Sequence, residues 1–109
     1  MIYLASPYTH PDAVVRERRY HETCRATAEM LLEGETVFCP IVHCHPLVAY
    51  GVPTEWTFWE EHDRQYLVRC EELVVLKLDG WRRSRGVQAE IKLAAAMDMP
   101  IRYIESRLA

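Results

Sequence analysis

Apolar residues along this chain switch between short unbroken runs and helical spacing, and the switches mark out its elements. Residues 2–6 (IYLAS) form a β-like run closed by Pro7. From Pro11 or Asp12 to about Glu33 the spacing is helical, with Tyr20, Cys24, Thr27, Ala28 and Leu31 on one face and Gly34 as the stop. Thr36–Cys39 (TVFC) is a second predicted strand, closed by Pro40. Ile41–Pro53 is irregular and reads as a long loop with one helical turn around Leu47–Tyr50. A long ordered loop in a small domain commonly serves function. Thr57-x-x-Glu60 has the pattern of a capping box for a helix running to about Cys70, with Thr54 as the alternative start. Leu73–Leu78 (LVVLKL) is nearly continuous, as expected of a strand covered on both faces. A helix over Ser84–Met97 and a strand over Ile101–Ile104 complete the pattern.

Strands alternating with helices predict right-handed crossovers and a parallel sheet. The expected fold is α/β: a three-layer Rossmann- or flavodoxin-like domain, with four to five parallel strands and helices on both faces. The 109 residues suffice for one such domain, taken as residues 1–109. Ligands of such sheets bind beyond the carboxyl ends of the strands, where the strand order reverses. That rule selects Ser6-Pro7-Tyr8, the segment from Pro40 onward and the segment from Asp79 onward as the rim of a site.

Composition narrows the partners. Half the residues are apolar, 27% are charged and the net charge is −3, so no basic field favours a nucleic-acid polymer. Arg82, Arg83 and Arg85 are a local exception. No apolar run approaches the roughly 20 residues of a membrane span, and Met1 leads straight into IYLASPY, so neither membrane nor signal peptide is expected. Cys24, Cys39, Cys44 and Cys70 are too scattered for a disulfide scaffold, which points to a reducing cytoplasm and to cysteines acting as small hydrophobes.

Two acids stand on apolar helix faces. Glu90 shares its face with Val87, Ile91 and Ala94, and Asp63 falls within the stripe Trp59, Tyr66, Leu67 and Cys70. By spacing alone, Glu90 reads as a glutamate with a packed stem and a wet head. Asp63 reads equally as an acid holding a backbone amide or an arginine. The functional reading is a carboxylate pair, which suits glycosidic chemistry. Ser84-x-Gly86 opens the last helix, where a serine cap and a glycine let an anion approach free amides. Arg85 beside them fits a phosphate. Cys39, His43 and His45 follow C-x3-H-x-H, which matches no standard zinc pattern, so no metal is expected. His43 and His45 are instead assigned to lining the ligand pocket or bracing its loop.

Tyr3, Ser6-Pro7, Asp63, Asp79, Ser84-x-Gly86 and Glu90, in that order and on those elements, give the chain its resemblance to the nucleoside 2-deoxyribosyltransferase superfamily. Within it the chain most resembles an uncharacterised bacterial branch, domain of unknown function 1937. The superfamily includes transferases that exchange nucleobases and N-hydrolases of 2-deoxynucleoside 5-phosphates. The resemblance implies Glu90 as nucleophile, Tyr3 orienting it, and Asp63 (or Asp79) helping to protonate the leaving base. It places a 5-phosphate at Ser84 and Gly86, beside Arg85, with Ser6, Pro7 and Asp79 around the ligand. Tyr8, His43 and His45 join them from their place on the rim, since the histidine-rich loop at 43–46 and the Gly80-Trp81 insertion are not features of the superfamily's characterised enzymes. The resemblance further implies no metal or organic cofactor and a homo-oligomer, dimer or tetramer; Trp56, Phe58, Trp59 and Trp81 read as interface or pocket residues, or as filling of the core. A serine stands at position 6 where the superfamily has glycine. Ser106-Arg107-Leu108-Ala109 shows no counterpart of the C-terminal residue that a neighbouring subunit supplies in the transferases. A non-catalytic nucleotide-binding module is the competing expectation.

Overall fold

In a computed structural model, which describes residues 1–106, the chain forms a four-stranded parallel sheet of order β2-β1-β3-β4. The strands are β1 (Ile2–Ala5), β2 (Val37–Phe38), β3 (Glu72–Leu76) and β4 (Ile101–Ile104). The helices are α1 (Ala13–Leu32), α2 (Pro40–Cys44), α3 (Trp56–Leu67) and α4 (Arg85–Ala96). The expected α/β architecture is therefore present, with four strands. Arg107, Leu108 and Ala109, on which the expectation about the C-terminal residue partly falls, lie outside the described residues. Among the described residues no helix is long and apolar enough to cross a membrane.

The central strands explain the layering. In β1 and β3, paired as Tyr3 with Leu73, Leu4 with Val74 and Ala5 with Val75, successive side chains enter opposite faces. Tyr3, Ala5, Leu73 and Val75 pack with Leu67 of α3 and Val87 and Ala94 of α4. Leu4, Val74 and Leu76 pack on the other face with Met30 of α1. Both strands are thus covered on two sides, which is why their sequences are unbroken apolar runs.

Local signals set several boundaries. Asp12 caps α1 by accepting from the Val14 amide at 2.9 Å, and Gly34 leaves it with φ +90°. Ser84 caps α4 through the Val87 amide at 3.2 Å. Elsewhere the expectations need correction. The buried face of α1 is Thr23, Thr27 and Met30, whereas Leu31 is 53% exposed and Ala28 is also exposed. The two threonines tolerate burial because their hydroxyls donate to the backbone oxygens of Arg19 and Thr23 one turn earlier. The capping box fails as well. α3 starts at Trp56, inside the interval between the two expected starts, and its N-cap Glu55 makes no side-chain cap bond. Contacts with other segments hold that entrance: Thr9 donates to the Thr54 carbonyl (3.0 Å) and the Trp59 indole to that of Pro53 (2.8 Å). The supposed loop after Pro40 is mostly helical, with Pro40 opening α2 and a 3-10 segment covering His45–Tyr50. Both pieces are too short to display a period.

Candidate functional site

Connections from β1 to β2 and from β3 to β4 leave the sheet in opposite directions, so the order reverses between β1 and β3. A cavity of about 380 Å³ opens there, beyond the carboxyl ends of the strands. This volume is within the range of small-molecule sites. Its wall takes Ala5, Ser6 and Tyr8 from the end of β1, Pro40 to His45 in part from the segment after β2, Asp63 and two tryptophans from α3, and Val87 and Glu90 from α4.

Glu90 answers the question raised by its helical spacing. Its side chain turns inward beneath this cavity, only 8% exposed, and the Tyr3 hydroxyl donates a hydrogen bond to its Oε2. Tyr3 is fully buried in β1, behind the acid. Burial pushes the Glu90 carboxyl up to about 8, the Tyr3 hydrogen bond pulls it down, and the charge of Asp63 pushes it up again. Burial also raises Tyr3, with the Glu90 charge adding to it, so the phenol keeps its proton and remains a donor.

Asp63 is 7% exposed and lies on the same cavity wall. Burial raises its pKa, opposed by a 3.0 Å hydrogen bond with His62 Nδ1 and by the charges of His62 and His43. Both acids face the same cavity, and the charge of an ionised Asp63 would act on Glu90.

At the other end of the cavity, Ser84, Arg85 and Gly86 form its rim with Arg83. Of the first-turn amides of α4, that of Val87 is taken by the Ser84 hydroxyl, and those of Arg85 and Gly86 have no partner within the helix. A Cβ on Gly86 would stand 3.1 Å from Trp56 Cε3, so glycine here lets the indole close over the helix start.

Four expected site residues lie off the cavity wall, Tyr3 behind Glu90 being the first. Pro7 is fully buried in the turn below it. His43 is exposed, facing Phe38 and parallel to His62 at ring distances of 6.3 and 6.4 Å. Asp79 borders a separate hollow with Lys77 and Arg83, and its backbone oxygen, rather than its carboxylate, supports the site. That support comes from Arg19, which spacing gave no reason to single out. Its guanidinium donates to the carbonyls of Thr9 (3.1 Å) and Asp79 (3.1 Å), tying the loops after β1 and β3 together. Gly80, at φ +91°, keeps its Cα side clear for this contact, since a Cβ would lie 2.8 Å from Arg19 Nη2. Serine at position 6 is accommodated because its hydroxyl meets Thr23 Oγ1 at 2.8 Å. Trp56 and Trp59 line the cavity, Trp81 packs against the core beside Tyr103, and Phe58 is exposed.

Cys39, His43 and His45 do not group as metal ligands among the described residues. Cys44, His62 and Asp63 do lie together, with ligand atoms within 4.8 Å of one another, and could hold a cation through sulfur, nitrogen and oxygen. Burial pushes the Cys39 and Cys44 thiols up to about 12, so neither is a ready nucleophile.

A family model described as "Domain of unknown function (DUF1937)" matches residues 1–106. No curated protein matches the chain.

Proposed function

We propose that this chain, which belongs to the DUF1937 family, is an N-glycosidic enzyme of the nucleoside 2-deoxyribosyltransferase type, acting on a nucleoside or nucleotide. The observation that carries this reading is the Glu90 carboxyl, desolvated, bonded by Tyr3 and open to a cavity of small-molecule size.

The geometry suits a double displacement. A Glu90 oxygen attacks the anomeric carbon, the C–N bond breaks, and its electron pair leaves with the base. Asp63, which burial keeps protonated to higher pH, gives its proton to the departing nitrogen. Water then attacks the glycosyl ester, returns a proton to Asp63 and frees Glu90. A second base in place of water makes the cycle a transfer. Tyr3 holds Glu90 and steadies its ionised form. A 5-phosphate fits the α4 N-terminus beside Arg83 and Arg85. Trp56 and Trp59 offer flat apolar surfaces to a base. No step requires a metal or organic cofactor. Cytoplasmic location and assembly as a dimer or tetramer belong to the same proposal. Exposed Phe58, Leu32 and Tyr50 supply apolar surface for assembly, and analytical ultracentrifugation tests it.

The test is incubation with 2-deoxynucleosides and their 5-monophosphates, with chromatography of free base. Base release that survives unchanged in Glu90→Ala would falsify the nucleophile. One observation favours a second reading: a carboxyl raised to about 8 is mostly protonated at neutral pH, as befits a binding site without turnover. Calorimetric nucleotide binding with no base released across the panel selects that reading.

Gly86→Ala is expected to weaken binding of 2-deoxyadenosine 5-monophosphate several-fold by displacing Trp56, while changing fold stability by less than about 1 kcal/mol. Calorimetry and thermal melting measure the two separately. Unaltered affinity would show that Trp56 does not shape the bound state.

A further inference from the structure

One hydrogen-bonded chain in the cavity wall is not used by the glycosidic steps. The Tyr8 hydroxyl lies 2.6 Å from His45 Nδ1, and His45 Nε2 lies 2.7 Å from Glu17 Oε2. The three residues come from the segment after β1, the 3-10 segment and α1, and Tyr20 of α1 packs on the imidazole at 4.3 Å between centroids. Tyr8 and His45 line the cavity, whereas Glu17 is exposed.

The donors can be assigned from the chain's outer end. Glu17 is held below the usual carboxylate range, chiefly by its hydrogen bond with His45 and further by His21, 3.2 Å from its other oxygen. An ionised carboxylate only accepts, so the proton between them belongs to His45 Nε2. In a neutral imidazole Nδ1 is then the acceptor, and the bond to Tyr8 needs the phenol's own hydrogen. Burial raises the Tyr8 phenol, so it has that hydrogen to give. Arg16 of α1 opposes the rise by its charge and by a side-chain hydrogen bond that takes one lone pair of the phenol oxygen. A hydroxyl that spends its proton on the wall keeps its remaining lone pair for whatever occupies the cavity.

We propose that Tyr8 is an acceptor-only specificity group, selecting ligands that present a hydroxyl or amino hydrogen to its oxygen, with His45 and Glu17 as the positioning residues that fix this polarity. The inference rests on the cavity being the nucleoside site proposed above, and it is independent of whether Glu90 turns the ligand over. A ligand bearing only an acceptor there sets two acceptors against each other, and one bearing a C–H leaves the phenol's remaining lone pair unmet, so both bind less well.

The test pairs a ligand series with a direct view of the imidazole. Binding of 2-deoxyadenosine, 2-deoxyinosine (base amine replaced) and 2,3-dideoxyadenosine (3-hydroxyl removed) is measured by calorimetry, each also as the 5-monophosphate. Wild type is expected to bind one of the two altered ligands about 5-fold or more weakly, and Tyr8→Phe to bind the members of that pair alike. The discriminated ligand identifies the donor as base amine or sugar hydroxyl. Long-range ¹H–¹⁵N spectra of the full chain are expected to show His45 as the Nε2–H tautomer. Discrimination undiminished in Tyr8→Phe, no discrimination in wild type, or an Nδ1–H tautomer overturns the inference while leaving the nucleoside reading intact. Failure of wild type to bind any probe overturns both.

Discussion

Glu90→Gln is expected to lose base release by about 10⁴-fold or more and, at alkaline pH, to outlast the parent protein in denaturant. The first effect follows from removing the oxygen that forms the glycosyl bond. The second follows from linkage. Glu90 is raised from 4.5 in the unfolded chain to about 8 in the folded one, mainly by burial. Below about pH 4.5 both states hold the proton and its contribution to stability is fully present. As pH rises toward 8 the unfolded chain ionises while the folded one does not, so the unfolded state gains and stability falls. Above about 8 the loss is complete, on the order of 3–5 kcal/mol for a shift of this size. Glutamine keeps an oxygen for the Tyr3 hydroxyl and has no such slope. Urea midpoints at about pH 4 and about pH 9 give the comparison: the variant should gain on the parent between them. A constant gap across that range would show that the acid is not desolvated, and the site would lose its distinguishing property.

Asp63→Asn is expected to reduce base release by about 10²–10⁴-fold for purine and pyrimidine leaving groups. The deficit should nearly vanish for a 2-deoxyriboside whose leaving group, such as p-nitrophenolate, departs without a proton. A role confined to folding would lower both substrates equally, so equal losses would reject Asp63 as the acid. The same variant shifts the pH profile. Glu90 must be ionised to attack, so the rate rises with pH through its pKa. Asp63 must keep its proton to act as the acid, so the rate of the parent falls again at higher pH, and Asp63→Asn removes that fall. Tyr3→Phe removes the hydrogen bond that holds the Glu90 pKa down and moves the rise to higher pH. Rates measured against pH check both: a displaced rise in Tyr3→Phe and a missing alkaline fall in Asp63→Asn.

Such a site carries a tension between stability and function. An ionised, fully paired Glu90 would fold more favourably at neutral pH, yet a strong salt bridge would occupy the oxygens a sugar must meet. Tyr3 is a compromise, since a phenol orients the carboxylate without neutralising it.

Legibility in the sequence tracked the range of the interactions. Ile101–Ile104, the Asp12 and Ser84 caps and the unbroken run in β3 were readable because backbone period and capping act within a few residues. The capping box at Thr57 misled, since contacts of Trp59 with Pro53 and of Thr9 with Thr54 set the start of α3. On α1, Thr27 was read onto the buried face but Thr23 was missed, because threonine counts as polar until its hydroxyl finds a carbonyl one turn back.

For the site, helical spacing alone put Glu90 on the side of Val87 and Ala94, and an α/β alternation alone put the ligand at the strand ends. Folding then chose which neighbours those positions have. Tyr3 and Glu90 meet across 87 positions of chain, Tyr8 and His45 across 37, and Arg19 reaches an Asp79 carbonyl 60 positions away. Contacts of that length leave no periodic trace in the residues between them. They depend on how helices seat against the sheet, and the same seating excludes water from Glu90 and so sets the acidity on which its chemistry depends.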